Sequence, residues 1–190
     1  MKHLAIVLFL IFMSCKNEPK TKTEIQTKID TENGIHKSVH AMWNNFTESN
    51  PEFKKDELPD TEFYDDDEKE AERFAELIIN KKKQTSSGLY IWYKEANIDL
   101  PKIGTKRIVT NLNGEARAII EIKKVDTIPF NQITKDYAEL DMGTDIKPLE
   151  KWKKAHWEFF ENTLDENGQK VTDEVLVVRE WFETIWSKKY

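Results

Sequence analysis

The spacing of hydrophobic residues predicts three helices. A short apolar helix covers Ala41 to Phe46. An amphipathic helix follows Asp65–Asp67, because this run suits a helix N-terminus and lacks the alternating ligand spacing of a calcium loop. A longer helix runs from Pro148 to Thr163. One side of it carries Leu149, Trp152, His156, Phe159, Phe160 and Thr163.

The pattern also predicts four strands. An aromatic strand covers Gly88 to Tyr93. Two further strands, Lys106 to Asn111 and Glu115 to Val125, are joined through Asn113-Gly114, the strongest short hairpin signal. The last strand, Glu174 to Ile185, alternates with a period of two residues. Strands and helices together predict an α+β domain with a strand-rich core.

The N-terminal residues predict export. Residues 1–14 have a short basic start and an apolar run from Leu4 to Met13, which is too short to cross a bilayer. Cys15 follows directly and is the only cysteine in the chain. This arrangement indicates a lipoprotein signal peptide (1–14), with lipid attached to Cys15 after cleavage. The alternative is a stray cysteine within a cleaved signal.

The next segment is polar. Residues 15–38 hold almost no large apolar side chain, so they predict a flexible tether behind the lipidated N-terminus. The remaining residues, 39–190, have the size of one ordinary domain. The predicted location is the cell envelope, with the domain held at a membrane by its lipid anchor and facing the periplasm or the cell surface.

The charge of the chain disfavours long nucleic acids as partners. Removal of residues 1–14 takes away one of the 29 basic side chains and leaves 28 against 35 acidic ones, a formal charge of −7. An acidic surface repels phosphate backbones and removes the counterion release that drives most nucleic-acid binding. A small-molecule ligand is therefore favoured.

Candidate chemistry lies between the second predicted helix and the aromatic strand. Lys81–Lys83 and Thr85–Ser87 meet there. A junction between a helix and a strand is the kind of place where side chains converge on a pocket, so we expect one here. Tyr90, Trp92 and Tyr93 have the rings to stack on a flat heterocycle. The alternative is structural: lysines near a helix C-terminus offset its negative pole, and hydroxyl residues make a polar turn before a strand.

The histidines predict no metal site. His156 faces inward on its helix and is either a hydrogen-bonded core residue or part of a pocket wall. His36 and His40 are four residues apart but have no third ligand nearby, so zinc binding is not expected. No other cofactor is indicated.

An ordered set of short motifs runs through the predicted domain. It consists of Met42-Trp43-Asn44, Phe63-Tyr64-Asp65, Ala71, Leu77, Lys81-Lys82, Thr85-Ser86-Ser87, Leu100–Gly104, Ile120-Glu121, Val125, Pro129-Phe130, Trp152, Ala155–Phe160, Val177-Val178, Glu180 and Phe182. Taken together, these motifs resemble the ASCH domain, a small β-barrel of the PUA-like superfamily with helices packed on its outside. The resemblance runs from about Ala41 to Trp186. Two departures are Asn80, where a glycine is usual, and the additional lysine, Lys83.

The resemblance implies a catalytic trio. Some bacterial relatives resemble hydrolases that cleave the amide bond of acylated cytidine nucleosides with a lysine, a threonine and a glutamate. These roles would fall on Lys82, Thr85 and Glu121. Because of the additional lysine, an alternative register uses Lys83 and Ser86. In either register the lysine must lose its proton to activate the hydroxyl, and the glutamate must protonate the leaving amine.

Two classes of function remain open on these observations. The first is a small hydrolase acting on an amide or related bond of a nucleoside-like molecule. The second is a non-catalytic pocket module that binds a nucleotide, RNA or a protein partner. Other ASCH relatives are associated with RNA cleavage or RNA and coactivator complexes, but the acidic charge disfavours RNA here.

Overall fold

The computed structural model describes residues 31–32, 34–165 and 168–187. The predicted signal peptide, Cys15 and the tether as far as residue 30 lie outside the described residues. Within the described part of the chain, no helix is long and apolar enough to cross a membrane.

The described residues form helices and strands in a mixed order. The helices are α1 (Lys37–Ser49), α2 (Glu68–Ile79), α3 (Tyr90–Ala96), α4 (Lys135–Met142) and α5 (Pro148–Asp165). The strands are β1 (Thr31–Glu32), β2 (Ile35–His36), β3 (Thr61–Glu62), β4 (Thr85–Leu89), β5 (Lys106–Thr110), β6 (Ala116–Pro129) and β7 (Leu176–Ser187).

Five strands form one sheet in the order β3-β5-β6-β7-β4. All neighbours are antiparallel except β3 and β5, which run parallel. The hairpin between β5 and β6 turns at Gly114, whose φ of 81° suits a residue without a side chain. The long pair β6–β7 has two register shifts, and such irregularities bend and twist a sheet. The predicted α+β class is confirmed.

The helix ends follow local rules where the sequence signals were clear. Asp67 caps α2 by accepting hydrogen bonds from the N–H groups of Lys69 and Glu70, at 3.0 and 3.1 Å. The capping interpretation of the acidic run is thus confirmed for Asp67. Helix α5 begins at Pro148 as expected, and Trp152 and Phe160 on its inward side are fully buried.

The predicted strand from Gly88 to Tyr93 is wrong beyond Leu89. The strand ends there and α3 begins at Tyr90, ending where Asn97 takes a left-handed conformation with φ of 52°. Aromatic and β-branched residues favour strands on average, but packing overrides this preference. Trp92 packs edge-on against Phe159 and Phe160 of α5, with ring centroids 5.7 and 6.0 Å apart.

Candidate functional site

A cavity of about 540 Å³ opens beside the edge strand β4. Its wall combines the loop after β3 with residues from α2, β4, α3, α4 and α5, so distant parts of the chain meet there. The lining residues are Phe63, Tyr64, Asp65, Asp66, Phe74, Lys83, Ser86, Ser87, Trp92, Asp141, Met142, Ala155, His156 and Phe159.

The polar floor of the cavity is organised around Asp141. This side chain is 2% exposed, and its carboxylate forms an ion pair with Lys83. Its second oxygen accepts hydrogen bonds from Ser87 Oγ at 2.8 Å and from Trp152 Nε1 at 2.7 Å. Lys83 also donates to the backbone oxygen of Asp141 at 2.9 Å. The carboxylate is therefore held rigidly, and one of the three ammonium N–H groups of Lys83 remains for another partner.

The turn after α2 selects which lysine enters the cavity. Lys81 has a left-handed φ of 57°, and the N–H groups of Lys82 and Lys83 both donate to the carbonyl of Leu77. This reversal leaves Lys81 and Lys82 exposed and points Lys83 inward, where its side chain is 5% exposed. A left-handed residue at a helix end is a common way to stop a helix.

Burial and charge act in opposite directions on Asp141. Burial alone raises the pKa of this carboxyl, but the charge of the Lys83 ammonium and the hydrogen bonds from Lys83 and Ser87 outweigh burial and lower it. Asp141 is thus a carboxylate at neutral pH. A carboxylate with a lowered pKa is a weak base, so its main effect is to orient its donors.

His156 supplies a hydrogen-bond acceptor at the cavity wall. Its ring stacks on Trp152 at 4.0 Å, and Nδ1 donates to the backbone oxygen of Trp152 at 3.0 Å. Burial lowers the pKa of His156 more than Asp141 raises it, so the ring is neutral at pH 7. Because Nδ1 carries the proton, Nε2 keeps its lone pair. Nε2 lies 3.6 Å from Asp141 Oδ2.

A chain of hydroxyl groups links β4 to α4. Tyr137 Oη donates to the backbone oxygen of Ser86 at 2.6 Å and lies 2.8 Å from Ser87 Oγ. Ser87 in turn donates to Asp141. Burial, followed by the charge of Asp141, raises the pKa of Tyr137 well above its ordinary value. The phenol therefore stays protonated and acts as a donor that fixes the position of β4.

Aromatic rings form the other walls. The rings of Tyr64 and Phe74 lie 5.0 and 5.3 Å from Lys83 Nζ, within range of cation–π attraction. Trp92 also lines the cavity, and its buried Nε1–H has no hydrogen-bond partner within the described residues. Phe63 and Phe159 are lining residues that are about half exposed. Rings beside a polar floor suit a flat ligand.

A second charged cluster lies behind the Tyr64 wall. Arg107 Nη1 contacts Glu62 at 2.9 Å and Glu180 at 2.7 Å. Tyr64 donates to Glu62 at 2.5 Å, and Tyr93 donates to Glu180 at 3.2 Å. Burial raises the pKa of Glu62 despite Arg107, and burial and Glu180 raise the pKa of Tyr93 to about 12. This cluster holds Tyr64 in place at the cavity wall.

The structure separates the first predicted trio. Lys82 is exposed, and Thr85 is fully buried with Oγ1 3.5 Å from the backbone oxygen of Tyr137. Glu121 pairs with Lys106 and Lys123, at 3.5 and 2.6 Å, and does not line the cavity. Burial raises the pKa of Glu121, but the hydrogen bond and charge of Lys123 outweigh it and lower the value. A lowered pKa is the reverse of what a general acid needs.

The alternative register fits the cavity better. Lys83 and Ser86 both line it, as do Trp92 and His156. Tyr93 points to Glu180 in the second cluster, and Tyr90 is partly buried but is not a lining residue. The catalytic and binding roles of these residues stay predictions, because the geometry establishes their positions only.

Sequence reasoning missed the residue at the centre of the site. Asp141 lies on α4, which the hydrophobic spacing did not predict. The signals were the helix boundaries: Thr134 accepts a hydrogen bond from the N–H of Tyr137, and Gly143 ends the helix with φ of 64°. Thr134, Asp136 and Gly143 are a usual start and stop combination for a short helix.

The described residues contain no cluster of three or more His, Cys, Asp or Glu side chains placed to hold a metal ion. The polar floor instead carries an ammonium, a carboxylate, hydroxyls and a neutral imidazole, which suit hydrogen bonding to an organic ligand.

Comparison with known proteins identifies the family. The ASCH domain family model matches residues 60–186, about two thirds of the chain. The chain belongs to the ASCH domain family. The comparison with curated proteins gave no match.

Two solved structures have a similar fold. The ASCH domain from Lactobacillus crispatus JV V101 is 28% identical, with a TM-score of 0.74, covering 81% of this chain and 98% of that one. Protein EF3133 from Enterococcus faecalis V583 is 24% identical, with a TM-score of 0.71, covering 80% and 90%. The family predicted from the ordered motifs is thus confirmed.

Proposed function

We propose that this ASCH domain binds a small, flat, nucleoside-like molecule in the cavity beside β4. The observation that carries the proposal is a cavity of about 540 Å³ that joins ring walls to a fixed polar floor. Small-molecule sites typically have volumes of about 300–1,000 Å³ and a few convergent polar groups in an apolar wall.

The floor offers both kinds of hydrogen bond to such a ligand. Lys83 has one N–H group left after its two contacts with Asp141, so it can donate. His156 Nε2 is a lone-pair acceptor because Nδ1 is bonded to Trp152. A heterocycle that stacks against Trp92 would present its edge to these groups. The described geometry thus supports recognition of a nucleobase-like ring by hydrogen bonds to its edge and by stacking against its face.

Amide hydrolysis of an acylated nucleoside is the second candidate. It is favoured by the presence of both Lys83 and Ser86 in the cavity lining. The ion pair with Asp141 opposes it, because an ammonium bonded to a carboxylate has no lone pair for taking a proton from serine. Binding without catalysis is therefore the preferred function, and recognition of an RNA base or a protein partner is a further alternative.

Binding and turnover can be measured on one set of variants. Calorimetric screening of nucleosides and their N-acylated forms first finds a ligand for the wild-type protein. We expect Trp92→Leu to weaken binding of that ligand about tenfold or more, because the stacking surface is lost. Lys81→Gln, an exposed residue outside the cavity lining and outside both predicted registers, is the matched control and should bind like wild type. Failure of every nucleoside to bind at millimolar concentration would contradict the proposal.

Product analysis in the same screen tests the second candidate. Turnover that Ser86→Ala abolishes would support hydrolysis in the alternative register. Turnover that Thr85→Val or Glu121→Gln abolishes would support the first trio. No product with any acylated nucleoside leaves binding as the function.

We also propose that the chain is a lipid-anchored protein of the cell envelope. The support is sequence alone: the apolar run Leu4–Met13 followed by Cys15. We expect metabolic labelling with a palmitate analogue to mark the wild-type chain and to be lost in Cys15→Ala. Equal labelling of the two chains would contradict the anchor.

A further inference from the structure

We propose that Asp65 and Asp66, the acidic rim of the cavity, make it select uncharged or cationic ligands over phosphorylated ones. The inference rests on the proposed function, because it specifies which nucleoside-like molecules the cavity accepts. Both residues line the mouth, in the loop between β3 and α2. They are exposed and face the solvent from which a ligand enters.

The charges of the cavity lining are unbalanced. Its charged residues are Asp65, Asp66, Asp141 and Lys83, so three carboxylates face one ammonium and the formal charge is −2. Lys83 is already paired with Asp141, and His156 is neutral at pH 7. A phosphate in this cavity would therefore meet two unpaired carboxylates and no unpaired cation among the lining residues.

Neighbouring residues strengthen this asymmetry. Asp65 Oδ1 accepts a hydrogen bond from the N–H of Asp67 at 2.9 Å, which fixes one rim carboxylate in position. Glu68 follows in the first turn of α2. The whole chain is acidic, with a formal charge of −6. Clefts lined by one sign of charge focus the field, so anions are repelled before they reach the floor.

The charge of the rim can be removed without changing its shape. In Asp65→Asn/Asp66→Asn the amide oxygen introduced at position 65 can still accept from Asp67, and asparagine has the same shape as the aspartate that adopts the positive φ of 112° there. Asp67, the cap of α2, is left unchanged. The matched control is Glu48→Gln/Glu52→Gln, which removes two exposed charges from residues outside the cavity lining.

The first test uses calorimetry at low and high salt. It compares adenosine, guanosine, cytidine and uridine with their 5′-monophosphates. We expect wild type to bind the nucleoside of a pair at least about tenfold tighter, and the double Asn variant to bind the monophosphate about tenfold tighter than wild type does. Nucleoside affinity should change less than about twofold, since a neutral ligand does not feel the charge. If the ratio of nucleoside affinity to monophosphate affinity is the same in the double Asn variant as in wild type, the proposal is overturned.

The second test needs no ligand. The fluorescence of Trp92 is obtained as the difference between a protein with and without Trp92→Phe, and it is quenched with iodide and, separately, with caesium. The quantity measured is the ratio of iodide quenching to caesium quenching. We expect this ratio to be about twofold higher in the double Asn variant than in wild type, and to be unchanged in the double Gln control. If nucleosides fail to bind while this change appears, the proposed function fails and the rim still excludes anions. An equal ratio in wild type and in the double Asn variant would overturn the proposal that the rim repels anions.

Discussion

We expect Asp141→Asn to lower the free energy of unfolding by about 4 kcal/mol, because it leaves the Lys83 ammonium buried without a counter-charge. The side chain of Lys83 is 5% exposed and that of Asp141 2%, so water is a poor substitute for the lost partner. Asparagine keeps an oxygen to accept from Trp152 or Ser87, so the loss reports mainly the charge. Urea unfolding at pH 7 measures it.

A double substitution separates charge from shape. Lys83→Met removes the buried ammonium, so Asp141→Asn/Lys83→Met should be more stable than Asp141→Asn alone. The exposed pair of Asp99 and Lys102 provides a control, since Asp99→Asn should leave unfolding unchanged within error. A double variant as unstable as the sum of the two single variants would show that the ion pair contributes no coupling.

The dependence on pH has a defined sign. The pKa of Asp141 is lowered in the folded state, so its stabilising contribution is complete above the ordinary aspartate value of 3.8 and is lost as the pH falls through the lower folded value. The difference between wild type and Asp141→Asn should therefore be constant near neutral pH and shrink on acidification below 3.8. A difference that grows in acid would contradict this assignment.

Local signals explain why part of the fold could be predicted. Helix α2 was predictable because Asp67 caps it and its apolar stripe packs on the sheet. The β5–β6 hairpin was predictable because Gly114 takes the positive φ that its turn needs. Helix α3 was not predictable from local signals, because Trp92 packs against Phe160 of α5, which lies far along the chain. Helix α4 has only eight residues, too few for hydrophobic periodicity to be informative.

The site was harder to predict than the fold. The contact between Lys83 and Asp141 joins residues 58 positions apart, and no spacing rule relates them. The choice among three consecutive lysines depends on the left-handed φ of Lys81, a single backbone angle. Sequence could therefore place a cavity-lining segment within residues 81–87 and name Trp92 and His156, but could not supply the carboxylate that organises the polar floor.

The largest effect in the second cluster is expected for Arg107→Met, with a loss of about 3 kcal/mol in unfolding free energy. The arginine lies between Glu62 and Glu180, and its side chain is 17% exposed. Its removal leaves two partly buried carboxylates facing each other without a cation. Since Tyr64 donates to Glu62, nucleoside binding in the cavity should weaken as well. Arg73→Met, which breaks an exposed pair with Glu70, should cost less than about 1 kcal/mol.

The stability deficits of Arg107→Met and Asp141→Asn should both shrink as the pH falls, but in different ranges of pH. The deficit of Arg107→Met should change above the ordinary glutamate value of 4.5, and that of Asp141→Asn below the ordinary aspartate value of 3.8. Burial already raises the pKa of Glu62, and the loss of Arg107, which lowers it, should raise it further. Above pH 4.5, the ordinary glutamate value, Glu62 is ionised in the unfolded chain but still protonated in the folded variant. The stability of the variant therefore falls as the pH rises above 4.5. We expect a larger deficit at pH 8 than at pH 5, and partial recovery in Arg107→Met/Glu62→Gln. A deficit independent of pH, with no recovery, would show that Arg107 stabilises the fold by packing and not by neutralising these carboxylates.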